Sequence, residues 1–232
     1  MDRDSISFGA IETLRSCSKI YLENYTVNFP YALEDLETCY GVEIVELNRE
    51  NVENESILEE AKVSDIALLV YGDALSATTH IQLILECKKK GIDYEVFPNA
   101  SIFTAVAGAG FSLYKFGKTA SMPNWVEHTN KPTSFMDYVK GNLSIGAHTL
   151  ILTDIGLEIK DAVAQLKEAS IKTDIVLPEK VVAISGAGTE NEKVFYDGLD
   201  ALVEMDISMP FCLIVPGELH FLEEEVVEAL KE

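Results

Sequence analysis

Ile66-Ala67-Leu68-Leu69-Val70 is an unbroken apolar run closed by Gly72-Asp73. A short run without polar alternation suits a strand buried on both faces, and such strands belong to parallel sheets covered by helices. The Gly-Asp pair forces a turn. Ser76, Thr78 and Thr79 then supply capping side chains for a helix through Gln82, Leu83 and Leu85 to Gly91. Strand, tight turn and helix start, in that order, put backbone amides and one carboxylate at the carboxyl edge of a sheet, where open α/β folds bind small molecules. An ordinary strand-to-helix turn has the same letters, so Gly-Asp alone leaves both readings open.

The same rhythm runs through the first half of the chain. Ile6, Ile11, Leu14 and Cys17 predict a first helix, and residues 18–22 a strand. Residues 32–40 predict a helix, 42–47 an alternating strand and 51–61 an amphipathic helix, with 93–97 as the strand after the next helix. This βαβα alternation implies a parallel, doubly wound sheet. The Gly-rich apolar stretch 103–111 predicts a tightly packed helix and turn near a ligand or a subunit interface. Residues 121–133, with Pro123, Asn124, Trp125, Asn130 and Pro132, are a linker candidate. Beyond them, 148–154, 181–188 and 211–215 predict central strands and 219–230 a closing helix. Two α/β domains are expected, 1–120 and 121–232.

At 232 residues and 47% hydrophobic content, the chain has material for one large core or two small ones. Its longest uncharged apolar stretches fall short of a membrane span, and the amino end lacks the basic and apolar regions of a signal peptide. A soluble, cytoplasmic protein that engages no membrane is expected. Thirty-nine acidic against 18 basic side chains give a net charge of −21, which argues against a nucleic-acid binder. A solvated acidic surface accounts for that charge, with steering of a cationic small molecule or a basic protein as the functional alternative. Cys17, Cys39, Cys87 and Cys212 are scattered, and the histidines at 80, 128, 148 and 220 show no ligand spacing, so buried thiols and no metal site are expected. Gly-x-Ser-x-Gly, His-Glu-x-x-His and phosphate-loop patterns do not occur in the sequence. Gly186-Ala187-Gly188 lacks the third glycine and the later acidic residue of a dinucleotide turn.

The longer string Gly72-Asp73-Ala74-Leu75-Ser76-Ala77-Thr78-Thr79-His80 resembles the second cofactor motif of diphthine synthases, the S-adenosyl-L-methionine-dependent methyltransferases of diphthamide biosynthesis within the tetrapyrrole-methylase-like superfamily. Residues 99–105, 113–119 and 213–220 are similar to further segments of that family in the same order. Asp2-Arg3-Asp4 with Ile6 is similar to the stretch just after its first Gly turn. The resemblance covers essentially the whole chain. It implies two α/β domains of the tetrapyrrole-methylase type with the cofactor cleft between them, S-adenosyl-L-methionine as cofactor, and a homodimer, which the stretch 105–111 also suggests. The implied protein substrate is translation elongation factor 2, whose modified histidine carries a 3-amino-3-carboxypropyl group. Methylation of that amino group gives diphthine.

The resemblance carries over residue by residue. It implies cofactor contacts at Asp73 (ribose hydroxyls or the sulfonium charge), Ser76, Ser101, Ile102, Thr153, Ala187 and Phe211. Helix capping is the structural alternative for Asp73 and Ser101. Phe211 stands where family members often carry His, which leaves a backbone contact and removes any imidazole role. Lys115, Lys118 and His220 are candidates for handling substrate: a lysine can pair with the substrate carboxylate, while the amine must lose a proton before it attacks. Methyl transfer from a sulfonium needs alignment and exclusion of water rather than a catalytic triad, and the sequence fits that need. The departure lies at the amino end. The family opens with an apolar strand and a Gly-x-Gly-Leu turn, whereas this sequence opens at Met1-Asp2-Arg3-Asp4, so either Met1 is an internal methionine or this version lacks the strand. Absence of a central parallel strand would leave its neighbours' edges open. Two alternatives stand beside the diphthine synthase reading: a tetrapyrrole-type methyltransferase, and a non-catalytic dimeric binding relative that has lost the cofactor pocket.

Overall fold

The computed structural model describes residues 2–25, 27, 29, 31–53 and 56–230. The chain separates into two compact units, Met1–Phe103 and Thr104–Glu232.

In the first unit, α1 (Phe8–Ser16) starts where the Ser7 hydroxyl accepts the Ala10 amide, and it leads into β1 (Lys19–Glu23). Helix α2 (Leu33–Tyr40) ends at Gly41 in the left-handed region and is followed by β2 (Val45–Leu47). Short helices α3 (Arg49–Glu53) and α4 (Ile57–Ala61) take the place of the single helix expected over 51–61, with residues 54 and 55 outside the described ones. Strand β3 (Ile66–Leu69) and helix α5 (Ile81–Lys90) follow. The sheet is parallel in the order β2-β1-β3, with Tyr21 opposite both Val45 and Leu68. Alternation sorts its side chains onto two faces. Leu14, Ile20, Leu22, Leu36 and Tyr40 pack with Ala67 and Leu69 on one, and Tyr21, Leu47, Val52 and Ile57 pack with Ile66, Leu68 and Leu83 on the other.

Two expectations fail here. The strand over 93–97 does not form: residues 92–100 run without helix, turn or bend, and 93–96 are exposed. A strand exists only through a ladder partner, and none of the described strands pairs with this segment. Helix α5 begins at Ile81 rather than near Ser76, because Thr78 and His80 bond back to the Ala74 carbonyl and hold residues 74–80 in turns.

Helix α6 (Ile102–Ala105) carries the chain from one unit into the next. A 3₁₀ turn over Val106–Ala109 then closes at Gly110, the helix and turn expected of this stretch. The second unit continues with β4 (Ala120–Met122), α7 (Phe135–Leu143), β5 (Thr149–Thr153), α8 (Ile159–Thr173), β6 (Val181–Ser185), β7 (Lys193–Asp197), α9 (Leu199–Val203), β8 (Phe211–Val215) and α10 (Phe221–Ala229). Its sheet has the order β4-β5-β8-β6-β7. The β4–β5 pair is parallel and the other pairs are antiparallel. Met122, Phe135, Met136, Ile151, Leu166, Leu202 and Leu213 are fully buried in one core. Residues 121–133 are not a linker: Met122 lies in the ladder, and the Trp125 ring is buried, with its indole N–H donating to the Pro132 carbonyl at 3.0 Å. Pro and Asn mark irregular backbone there, and irregular backbone can still be packed.

Candidate functional site

In the first unit, the turn after β3 gathers the predicted residues around Asp73. One carboxylate oxygen of Asp73 accepts the Leu75 amide at 3.0 Å and the Ser76 hydroxyl at 2.9 Å, and the other accepts the Asn99 amide at 3.1 Å. Asp73 therefore ties Ser76 to the segment that carries Ser101 and Ile102. Burial pushes the Asp73 carboxyl upward, but the Asn99 amide, the Ser76 hydroxyl and the Leu75 amide together hold it below the usual carboxylate range. The group is an anion whose two oxygens are engaged by its own turn and by the Asn99 segment.

The turn itself is strained. Gly72 sits at φ +76 and Ala77 at φ +59, and the second of these disfavours any side chain with a Cβ. The Ala74 carbonyl accepts from Thr78 Oγ1 at 2.8 Å and from His80 Nδ1 at 3.1 Å, and these bonds offset that strain. With Nδ1 donating, the His80 Nε2 is an acceptor, and it is buried with no hydrogen-bond partner among the described residues. The sequence reading used His80 only as a letter in a motif. Its ring borders a cavity of about 700 Å³ that Gly72, Leu75 and Asn99 also line.

In the second unit, Thr153, Ala187 and Phe211 come together at one edge of the sheet. Strands β5 and β6 end there and antiparallel β8 begins there. Thr153 Oγ1 donates to the Phe211 carbonyl at 2.5 Å. The Gly186 amide bonds the Pro210 carbonyl at 2.9 Å, which places the turn bearing Ala187 beside Phe211. This edge offers main-chain amides and carbonyls and no charged group from these three residues, as a site that holds a ligand through its backbone requires.

The substrate candidates separate. Lys115 Nζ lies 2.6 Å from Glu223 and 2.5 Å from the Glu218 carbonyl. His220 caps α10, its Nδ1 accepting the Leu222 amide at 3.3 Å while Glu223 accepts the His220 amide at 2.8 Å. Both candidates thus meet at Glu223, which is buried and also accepts the Ser112 amide at 2.8 Å. Burial pushes the Glu223 carboxyl up, and the His220 amide, Lys115 and the Ser112 amide overcome it and hold the group at about 2. His148, fully buried between Phe111 and Phe116, accepts the Gly217 amide at Nδ1 and turns Nε2 toward Glu223 at 3.5 Å. Burial holds its pKa below the ordinary histidine value. The sequence reading missed this network, because Glu223 stands in an acidic helical run that looks solvated. Lys118 is elsewhere: its Nζ lies 5.0 Å from the centre of the Tyr138 ring, and its main chain bonds Asn142 on both sides.

Among the described residues, no group of three or more His, Cys, Asp or Glu side chains is placed to hold a metal ion, and no helix is long and apolar enough to cross a membrane.

The family model for tetrapyrrole (corrin/porphyrin) methylases matches residues 1–202. The chain is 35% identical to the diphthine methyl ester synthase of Homo sapiens, with 97% of this chain and 90% of that one covered. It is 34% identical to the diphthine synthase of Methanococcus vannielii, with 100% and 95% covered. A crystal structure of diphthine synthase superposes with a TM-score of 0.89 at 33% identity, covering 99% of this chain and 91% of that one. The chain belongs to the tetrapyrrole methylase family and, within it, to the diphthine synthases.

Proposed function

We propose that this protein is an S-adenosyl-L-methionine-dependent methyltransferase of diphthamide biosynthesis. It methylates the amino group of the 3-amino-3-carboxypropyl-histidine of translation elongation factor 2, acts in the cytoplasm and works as a homodimer. Identity of 34–35% over nearly the full length of enzymes named for diphthine carries the assignment. The ionised Asp73 turn and the main-chain edge at Thr153, Ala187 and Phe211 supply the donor and acceptor chemistry that this cofactor needs. When bound, the cofactor supplies an activated methyl group. The chain then has to align the amine with it and exclude water.

Within that reading, the Asp73 carboxylate accepts from the ribose hydroxyls, and the Asn99 contact fixes the approach of Ser101 and Ile102. Lys118 is the stronger partner for the substrate carboxylate, because Lys115 is already engaged by Glu223 and Glu218. The name of the human relative specifies a methyl ester, so the carboxylate of the same group is a second methyl acceptor to be tested.

The test is calorimetric titration with S-adenosylhomocysteine, with Asp73→Ala alongside, followed by methyl transfer to elongation factor 2 read by mass spectrometry. Micromolar binding that weakens at least tenfold in the variant supports the cofactor assignment. Folded protein that fails to bind defeats it. Increments that survive mild alkaline hydrolysis are N-methyl groups, and any increment lost to it is an ester.

A further inference from the structure

The peptide that joins Ala74 to Leu75 is held at both of its ends. Its N–H, from Leu75, donates to the Asp73 carboxylate at 3.0 Å. Its carbonyl, from Ala74, accepts from Thr78 Oγ1 at 2.8 Å and from His80 Nδ1 at 3.1 Å. Two donors match the two lone pairs of a carbonyl oxygen. Because a peptide is planar, turning this carbonyl away from His80 also turns the N–H away from Asp73.

The two donors differ in what holds them. Thr78 belongs to the turn and is only half-buried, so it moves with the peptide that it binds. His80 is anchored outside the turn. Every residue from Tyr71 to Thr79 is at least partly exposed, whereas His80 is 4% exposed. Its ring stands edge-on to that of Tyr25, just beyond β1, with the centroids 6.4 Å apart. Helical backbone angles (φ −63, ψ −13) immediately ahead of α5 lean its side chain back over the turn, where the Ala74 carbonyl lies. Between that carbonyl and His80 stands Ala77 at φ +59, a conformation that an alanine leaves unless its surroundings hold it. The other Asp73 oxygen is tied to the Asn99 amide, so the carboxylate is fixed between a direct anchor and one that acts through a peptide.

We propose that His80 is a positioning residue for the cofactor: through the Ala74–Leu75 peptide it sets the direction in which the Asp73 carboxylate faces the ribose hydroxyls. The inference rests on the reading of Asp73 as a cofactor residue. What the role requires of His80 is a hydrogen-bond donor at the Nδ1 position, and the remainder of the imidazole serves packing. The arrangement leaves a signature without any ligand. The Leu75 amide is among the bonds that hold the Asp73 carboxyl below the usual carboxylate range, so a peptide that swings away lets that carboxyl rise.

The experiment compares the wild type with two variants. His80→Phe keeps a ring and removes the donor, and His80→Asn removes the ring but keeps an amide nitrogen where Nδ1 stands. The Asp73 carboxyl is titrated by NMR in the ligand-free proteins, and affinity for S-adenosylhomocysteine is measured by calorimetry. In His80→Phe the carboxyl is expected to titrate at higher pH than in the wild type, and affinity to fall about tenfold, the scale of one lost hydrogen bond. In His80→Asn both are expected to stay close to wild type. An unchanged Asp73 titration in all three proteins would overturn the proposal, as would a His80→Phe protein that behaves as wild type while His80→Asn does not. If circular dichroism finds His80→Phe unfolded, His80→Asn decides alone: wild-type titration and affinity uphold the proposal, and loss of either defeats it. Wild-type protein that fails to bind S-adenosylhomocysteine defeats the cofactor reading instead, while the ligand-free titration still decides whether His80 sets the Asp73 carboxylate.

Discussion

Replacing Glu223 by Gln removes one charge from a buried network while keeping its shape. Glu223 is 3% exposed and accepts the Ser112 and His220 amides and the Lys115 ammonium. Its carboxyl is moved from 4.5 to about 2. At about 1.4 kcal/mol per tenfold change in acidity, that displacement contributes about 3 kcal/mol to stability at neutral pH. Breaking a buried pair costs about 3–5 kcal/mol, and Lys115, with 21% of its side chain exposed, can partly rehydrate, which places the loss at the lower end. Both routes give about 3 kcal/mol for Glu223→Gln at pH 7.

The sign of the pH dependence follows from the lowered pKa. A carboxylate whose folded pKa is depressed stabilises fully above its unfolded value and loses that contribution as the pH falls toward its folded value. The window is therefore 4.5 down to about 2. By pH 3.5, about 1.4 kcal/mol of the wild-type advantage is gone, whereas the Gln variant has no such proton to take up. His148, held neutral by burial, also loses its share as the pH falls below 6.5, less in the wild type, where the Glu223 charge partly opposes burial, than in the Gln variant. Trp125 is the single tryptophan and lies buried in the same unit, so urea unfolding followed by its fluorescence reads this part of the chain. A difference that stays constant from pH 7 to 3.5, or a Gln variant within about 0.5 kcal/mol of wild type at pH 7, would refute the argument.

Other substitutions test the backbone and the packing. Gly110→Ala places a Cβ 2.3 Å from Val226 Cγ1 at φ +88 and is expected to cost at least about 2 kcal/mol. Gly91→Ala, at φ +66 with nothing within 4 Å, is expected to cost about 1 kcal/mol, and denaturant midpoints separate the two. Ala77→Gly relieves a left-handed alanine and is expected to stabilise the first unit by about 0.5–1 kcal/mol, read by amide exchange in residues 72–80. Leu213→Ala, fully buried in β8, is expected to cost about 3–5 kcal/mol, whereas Leu68→Ala, half-buried in β3, is expected to cost about 1–2, both measured by urea unfolding.

Local periodicity made the first unit's parallel sheet readable, because each βα step leaves its own pattern of apolar run, turn and helix. The strand expected over 93–97 shows where that information stops. Tyr94, Val96 and Phe97 have the composition of a strand, but a strand is a property of a pair of segments. No described strand pairs with this one. The second unit failed differently. Strands β4 and β7 and helices α7, α8 and α9 were not recognised, since Ala120–Met122 is too short to show a period and Lys193–Asp197 is an edge strand with a charged end. Composition misled at Trp125, where Pro123 and Pro132 suggested exposed chain around a ring that packs in the core.

For the candidate site, the sequence made readable which residues lie together next to a recognisable motif, as at the Asp73 turn. Asp73, Ser76, Ser101 and Ile102 follow strands or precede helices, so their order in the sequence is also their order along the turn. Glu223 and His148 were not readable, because their significance depends on the 74 residues of chain between them being folded back until Nε2 and carboxylate stand 3.5 Å apart. An acidic run, Glu223-Glu224-Glu225, gives no sign that its first member alone faces inward. Helical geometry decides that: at the third position of α10, Glu223 turns back over the start of the helix, where the amides of Ser112 and His220 and the Lys115 ammonium converge. Its neighbours in the run point away from that convergence and remain exposed. A substitution at Glu224 or Glu225 should therefore leave stability within about 0.5 kcal/mol, and a loss comparable to that of Glu223→Gln would mean that the charge of the run, rather than the position of one carboxylate, holds segment 111–118 in place.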